Sequence, residues 1–176
     1  MDDLELIVDD RRKIIRLTGC FCEDKTNLLI DRLCYLQNLY NGTDDITIYI
    51  NSYGGDYHSF LAVYDYIRGM DTKVNTIGIG KCMSAGALLL LSGTGVRSCY
   101  KNTRIMLHTL QVGHHRQSFV DSEIKHKEYQ ILKENLVSII VKHTNVEEEV
   151  VRKDIKRDMY MSAEDALDYG IVDCII

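Results

Sequence analysis

Between residues 45 and 108 the chain repeats one unit, and that repetition limits the folds open to it more than any other feature. "DITIYIN" (45–51) alternates apolar and polar residues and reads as a strand. "SYGGD" follows as a turn, and "YHSFLAVYDYIRGM" (57–70) as a helix with Phe60, Leu61, Tyr64 and Ile67 toward one side. "KVNTIGIG" (73–80) is a second strand, and Ser84 opens a short apolar helix over 84–92. "VRSCY" and "RIMLH" then read as short strands. Strands separated by helices in this way pair in parallel, with the helices as crossovers packed on the sheet. The expected fold class is therefore α/β, and the groups that do chemistry collect at the carboxyl ends of the strands. Gly54-Gly55 and Ser84 both fall at such ends.

The flanking segments extend this unit. "LELIV" and "KIIRL" on either side of "DDRR" predict a hairpin. Residues 26–40 carry apolar residues at helical spacing, with Asn41-Gly42 as the stop. Beyond His108 the stretch "LQVGHHRQS" is polar and irregular. Residues 118–143 then predict one long helix, with Ile124, Ile131, Leu132, Leu136, Ile139 and Ile140 on one stripe. Such a helix, about 39 Å at 1.5 Å per residue, is long for this chain and is expected to project and pack on a partner. Asn145 with Glu148, and Ser162 with Asp165, read as N-cap pairs, and Gly170 closes the last helix.

No linker or shift in composition divides the 176 residues, so one domain with a single core is expected. A net charge of −5 offers no basic field to nucleic acid or to an anionic membrane. The longest apolar run, "ALLLL", is far too short to span a bilayer. The start, "MDDLELIVDDRR", is acidic and has no signal-peptide core. Together these predict a soluble, cytoplasmic protein. The six cysteines (Cys20, Cys22, Cys34, Cys82, Cys99, Cys174) form no CxxC pair and read as free thiols, with no metal and no disulfide framework. No cofactor signature is present. With no proline in the chain, turns fall to Gly, Asn and Asp.

Ser84 poses the functional question. It is either a plain helix N-cap or a nucleophile set against the positive end of that helix. A serine nucleophile needs a base within hydrogen-bond reach, an acid to orient the base, and donors for the oxyanion. The Ala85 N–H and the backbone of Gly54-Gly55 are candidate donors, and the small Ala85 and Gly86 leave room for a substrate. Of the six histidines, His58 lies on a polar helix face, His114 and His115 in the irregular stretch, and His126 and His143 on the long helix. His108 ends a strand expected beside that of Ser84. The acid stays open among 26 carboxylates. Cys82 is a competing nucleophile without the helix-start position.

The linked motifs "YINSYGGD", "AVYDYI", "VNTIGIGKCMSAGALLLLSG", "NTRIMLH" and "KRDMYMSAEDALDYGIVD" resemble those of the ClpP family, the proteolytic subunits of ATP-dependent Clp proteases (peptidase family S14). The similarity runs from about residue 4 to the C-terminus. It implies a serine endopeptidase with Ser84 as nucleophile, His108 as general base and Asp158 as orienting acid. The backbone N–H groups of Gly55 and Ala85 would hold the oxyanion. It also implies a crotonase-like spiral of βαβ repeats with a protruding handle helix. The head would comprise about 1–108 and 144–176, and the handle about 109–143. Two stacked heptameric rings would enclose a chamber in which unfolded polypeptides are cut to short peptides. Substrates would pair as an added strand along the segment around Gly113.

The sequence departs from this family in four places. The resemblance begins almost at Met1, where the family has a further segment that forms axial pore loops. The docking positions for a Clp-family AAA+ ATPase are Thr47, Tyr49 and Gly69, with one aromatic, so docking is expected to be weakened. The family's acid–arginine pair before the catalytic aspartate is Lys156-Arg157. Its groove prolines are Tyr53 and Thr109. These mark a divergent member. Two other readings stand beside the peptidase: an idle structural subunit assembling with an active paralogue, and a crotonase-type acyl-CoA enzyme. The second lacks a glutamate-based site and a CoA pocket signal.

Overall fold

A computed structural model describes residues 7–39, 44–111 and 118–176. The expectations that rest on Asn41-Gly42, Gly113, His114 and His115 lie outside the described residues. Within them, the elements in chain order are β1 (Ile7–Asp9), β2 (Ile14–Phe21), α1 (Glu23–Leu39), β3 (Ile46–Gly55), α2 (Tyr57–Gly69), β4 (Val74–Met83) and α3 (Ala85–Leu91). There follow β5 (Arg97–Cys99), β6 (Arg104–Leu107), α4 (Phe119–His143), α5 (Glu148–Asp154), β7 (Met159–Met161), α6 (Ala163–Asp168) and β8 (Cys174–Ile175). The hairpin and the crossover units have the expected form. β1 pairs antiparallel with β2, and β2, β3 and β4 run parallel, joined by α1 and α2.

β4 divides its pairing between two neighbours. Its first half, Thr76–Gly78, pairs in parallel with β5, and its second half, Lys81–Met83, with β6. β6 turns back antiparallel onto β7, and β8 extends the sheet beyond β5. The core follows from the sequence pattern. Ile46, Ile48 and Ile50 alternate inward along β3, and Phe60, Val63, Tyr64 and Ile67 form the inner stripe of α2. α3 is buried on every side, as a helix without a polar face must be.

Several local expectations are corrected. "SYGGD" is not a separate turn. β3 continues to Gly55 because Gly54 and Gly55 pair with Cys20 and Phe21 of β2. Val63 joins the fully buried stripe of α2, and Leu61 packs partly buried against the same core. α1 begins three residues early, where Glu23 and Asp24 suit the positive helix end. α5 is capped at Glu147, not at Asn145, and without a side-chain bond. Ser162 and Asp165 do form a reciprocal capping box, and Gly170 follows α6 at φ +84°. The apolar positions of α4 do not share one environment. Leu136, Val137, Ile139 and Ile140 are buried, where α4 packs on α5 and α3, whereas Ile124 and Ile131 are exposed.

The C-terminal end of α4 is tied down by a cluster around His143. Its Nε2 lies 3.0 Å from the Tyr64 hydroxyl, and its carbonyl accepts from Arg97 at 2.8 Å. Arg97 also pairs with Asp173 and donates to the Gly170 carbonyl. Burial first, and then the Arg68 and Arg97 guanidiniums, push the His143 imidazole down to about 4. Between that value and the ordinary histidine range near 6.5, the unfolded chain binds a proton that the folded chain refuses. Stability therefore falls as pH drops through this window. Urea midpoints measured from pH 7 to pH 4 will show this slope, and His143→Gln will flatten it. In the core, Leu89→Ala will cost about 2–5 kcal/mol in the same assay.

Candidate active site

Ser84 sits where β4 ends and α3 begins. Its backbone acts as the helix cap: the Ser84 carbonyl accepts from the N–H groups of Ala87 at 2.9 Å and Leu88 at 3.0 Å. The hydroxyl makes no capping bond, so of the two roles open to Ser84 the side chain does not take the capping one. The backbone is held at φ 52°, ψ −125°. A non-glycine residue outside the ordinary regions costs on the order of 1–3 kcal/mol and needs surroundings that enforce it. Two contacts do so. The Ser84 N–H donates to the Met106 carbonyl at 2.8 Å. Gly54, at φ +92°, lies so close that a Cβ there would come within 2.6 Å of the Met83 carbonyl and 2.7 Å of Ser84 Cβ.

Strand register brings the end of β6, and with it His108, to this point. The β4–β6 pairing matches Met83 with Met106, so Ser84 lies beside Leu107, and His108 is the next residue. In the antiparallel β6–β7 pair the last match is Leu107 with Met159, so His108 and Asp158 each lie one residue beyond the paired run. Beyond it the pairing breaks, because the Thr109 N–H turns to the Ile155 carbonyl at 2.7 Å.

Ser84, His108, Gly55 and Ala85 line one cavity of about 530 Å³. Asp158 is exposed and is not among the lining residues. The His108 Nδ1 faces the carbonyl of Thr109. Among the described residues, no hydrogen bond joins Ser84 to His108 or His108 to Asp158. Leu88, Leu107, Leu132 and Leu136 give the cavity an apolar wall. The Tyr57 hydroxyl donates to Asn135 at 3.1 Å and ties the start of α2 to α4.

Other polar groups are sorted by their surroundings. Asp56 also lines the cavity. Burial works against its ionisation, but Ser59, whose N–H donates at 2.7 Å, and the neighbouring His58 together outweigh this and hold the carboxyl below its ordinary range. Cys82 is fully buried, and its thiol faces the Ile50 carbonyl. Burial raises that thiol to about 12, which removes it as a competing nucleophile. His58 lines the cavity too. The sequence reading left it on a polar helix face, although its place in the first turn after a strand end could have marked it. His126 is exposed on α4 beside Gln130, and His143 belongs to the cluster already described. Among the described residues no group of His, Cys, Asp and Glu is arranged to hold a metal ion.

The family model for Clp protease matches residues 4–176 of this chain. The close approach of Gly54 to the serine turn is testable without any assumption about activity. Gly54→Ala meets backbone atoms that cannot move aside and will destabilise the fold by on the order of 2–4 kcal/mol. Gly69→Ala, where an added Cβ meets nothing within 4 Å, will be neutral or stabilising by up to about 1 kcal/mol. Thermal unfolding of the two variants separates the cases.

Proposed function

The chain belongs to the Clp protease family, and from that membership we propose that it is a serine endopeptidase working through Ser84, His108 and Asp158. One observation carries the reading: an uncapped serine hydroxyl at a strained strand end shares a cavity with His108 and with the backbones of Gly55 and Ala85. In this mechanism the Ser84 Oγ attacks the scissile carbonyl carbon while His108 takes its proton. The N–H groups of Gly55 and Ala85 hold the oxyanion; Ala85 begins a helix, where N–H groups lack intrahelical acceptors. The intermediate collapses as His108 passes the proton to the leaving amine. Water activated by His108 then hydrolyses the acyl-serine.

Asp158, which like His108 lies one residue beyond the β6–β7 paired run, orients the imidazole in this scheme. That role requires the His108 ring to release the Thr109 carbonyl and turn toward Asp158. Assembly supplies a reason for such a change. The exposed Val120, Ile124 and Ile131 fall within about 40° of one another on α4 at roughly 3.6 residues per turn. This is the face that a second ring would cover in a stacked-ring, homo-oligomeric particle acting on unfolded polypeptides. A Clp-family AAA+ ATPase would feed it, through docking positions of which Gly69 is exposed and Tyr49 half-buried. No helix of the described residues is long and apolar enough to cross a membrane.

The second reading, an idle subunit that assembles with an active paralogue, is favoured by the same His108 geometry. The two separate on reaction with a fluorophosphonate. A working triad gives one adduct per chain on Ser84, lost in Ser84→Ala and strongly reduced in His108→Ala. An assembled particle that takes no label is an idle subunit. In the active case, Ser84→Ala will lower peptide turnover by roughly 10⁴–10⁶ without altering the assembly. His108→Ala will lower turnover by a comparable factor; turnover kept in that variant would exclude His108 as base.

A further inference from the structure

The rim of the Ser84 cavity carries a pair of side chains that the proposed chemistry does not use. Tyr53 lines the cavity and is 66% exposed. The Lys81 ammonium lies 3.9 Å from the centre of its ring. Both are fixed by their strands. Ser52 is fully buried, donates to the Gly19 carbonyl and accepts the Gly54 N–H at 3.0 Å. Alternation along β3 then turns Tyr53 to the opposite face. Lys81 stands three residues before Ser84 on β4, in register with the exposed Arg104 of β6, so two cations lie side by side.

The charge of this rim is not cancelled locally. Among the described residues no carboxylate is within ion-pair distance of Lys81 or Arg104. Asp165 feels Arg104 but is committed to its capping box with Ser162. Asp56, the carboxylate among the described lining residues, spends its charge on the α2 N-terminus through Ser59. His58 is the remaining titratable neighbour at the start of α2. The electron-rich face of a tyrosine ring repels an anion, so an acidic group is drawn to this rim by the Lys81 charge and not by the ring.

Resting on the serine-peptidase reading, we propose that Tyr53 and Lys81 form a specificity-determining rim. The exposed Tyr53 ring packs against the apolar part of a side chain of the bound polypeptide, and the Lys81 ammonium beside it selects an acidic residue there over a basic one. The Lys81 charge would lie within about one Debye length of that side chain at physiological salt. An exposed pair of this kind supports a modest preference, about threefold to fivefold, that shrinks as salt is raised.

The test is the binding of short fluorescent peptides to Ser84→Ala protein by anisotropy. The peptides are identical except for one glutamate or lysine moved along the sequence. At one position the glutamate peptide will bind about threefold to fivefold tighter. Lys81→Gln will bring that ratio to one, and Lys81→Glu will invert it. Tyr53→Ala will weaken both peptides, while Tyr53→Phe will keep the ratio. A ratio of one at every position, or one that Lys81→Glu leaves unchanged, overturns the proposal. Because the readout is binding, it is separable from the peptidase reading. A Ser84 adduct in wild-type protein with no peptide discrimination defeats the rim alone. Discrimination without an adduct defeats the peptidase and leaves a peptide-binding groove.

Discussion

The architecture around Ser84 depends on one close approach. The backbone of β3 at Gly54 lies against the turn that carries Ser84, with no room for a side chain between them. That contact and the Ser84 N–H to Met106 bond hold the serine outside the ordinary backbone regions. Its hydroxyl makes no bond to the helix it caps. Without the glycine the two strand ends would have to separate, and the Gly55 and Ala85 backbones could not face one cavity. The energetic cost is local and is offset by the interlocked parallel core of β3, α2, β4 and α3 beneath it.

The divided pairing of β4 has a comparable role. By passing from β5 to β6 midway along its length, β4 brings β6 beside the serine turn, and β6 in turn brings β7. Three short runs of register thus converge residues that lie far apart in the chain. This is the economy of a spiral of βαβ units: each strand end contributes one group, and the sheet sets their separation. α4 stands apart from this arrangement. Its C-terminal end is locked to the sheet through His143 and Arg97, while its N-terminal half presents Val120, Ile124 and Ile131 to solvent.

Much of the fold was legible in the sequence. Alternation along 45–51, helical spacing along 57–70 and the strand run at 73–80 each came from a period that burial enforces. Misreadings arose where a local signal competes with pairing. Gly-Gly reads as a turn, yet two glycines at a strand end extend the strand when a neighbour accepts them, as Cys20 and Phe21 do here. Asn145 reads as a cap, but the helix starts where its own backbone closes. The α4 stripe combined buried and exposed positions because periodicity reports that a face is apolar, not what covers it.

The sequence by itself determined the α/β class and the order of the units, and it singled out Ser84 and His108 as candidates. Each of these follows from hydrophobic period and chain order, which are local properties. For Asp158 the sequence offered only resemblance, since a carboxylate's role depends on what it faces. Tertiary structure decided the rest. Register brought the ends of β6 and β7 together, burial retired Cys82, and the first turn of α2 brought His58 to the cavity. It also set the Lys81 ammonium over the Tyr53 ring. Such juxtapositions arise from pairings between distant segments, and no window of sequence contains them.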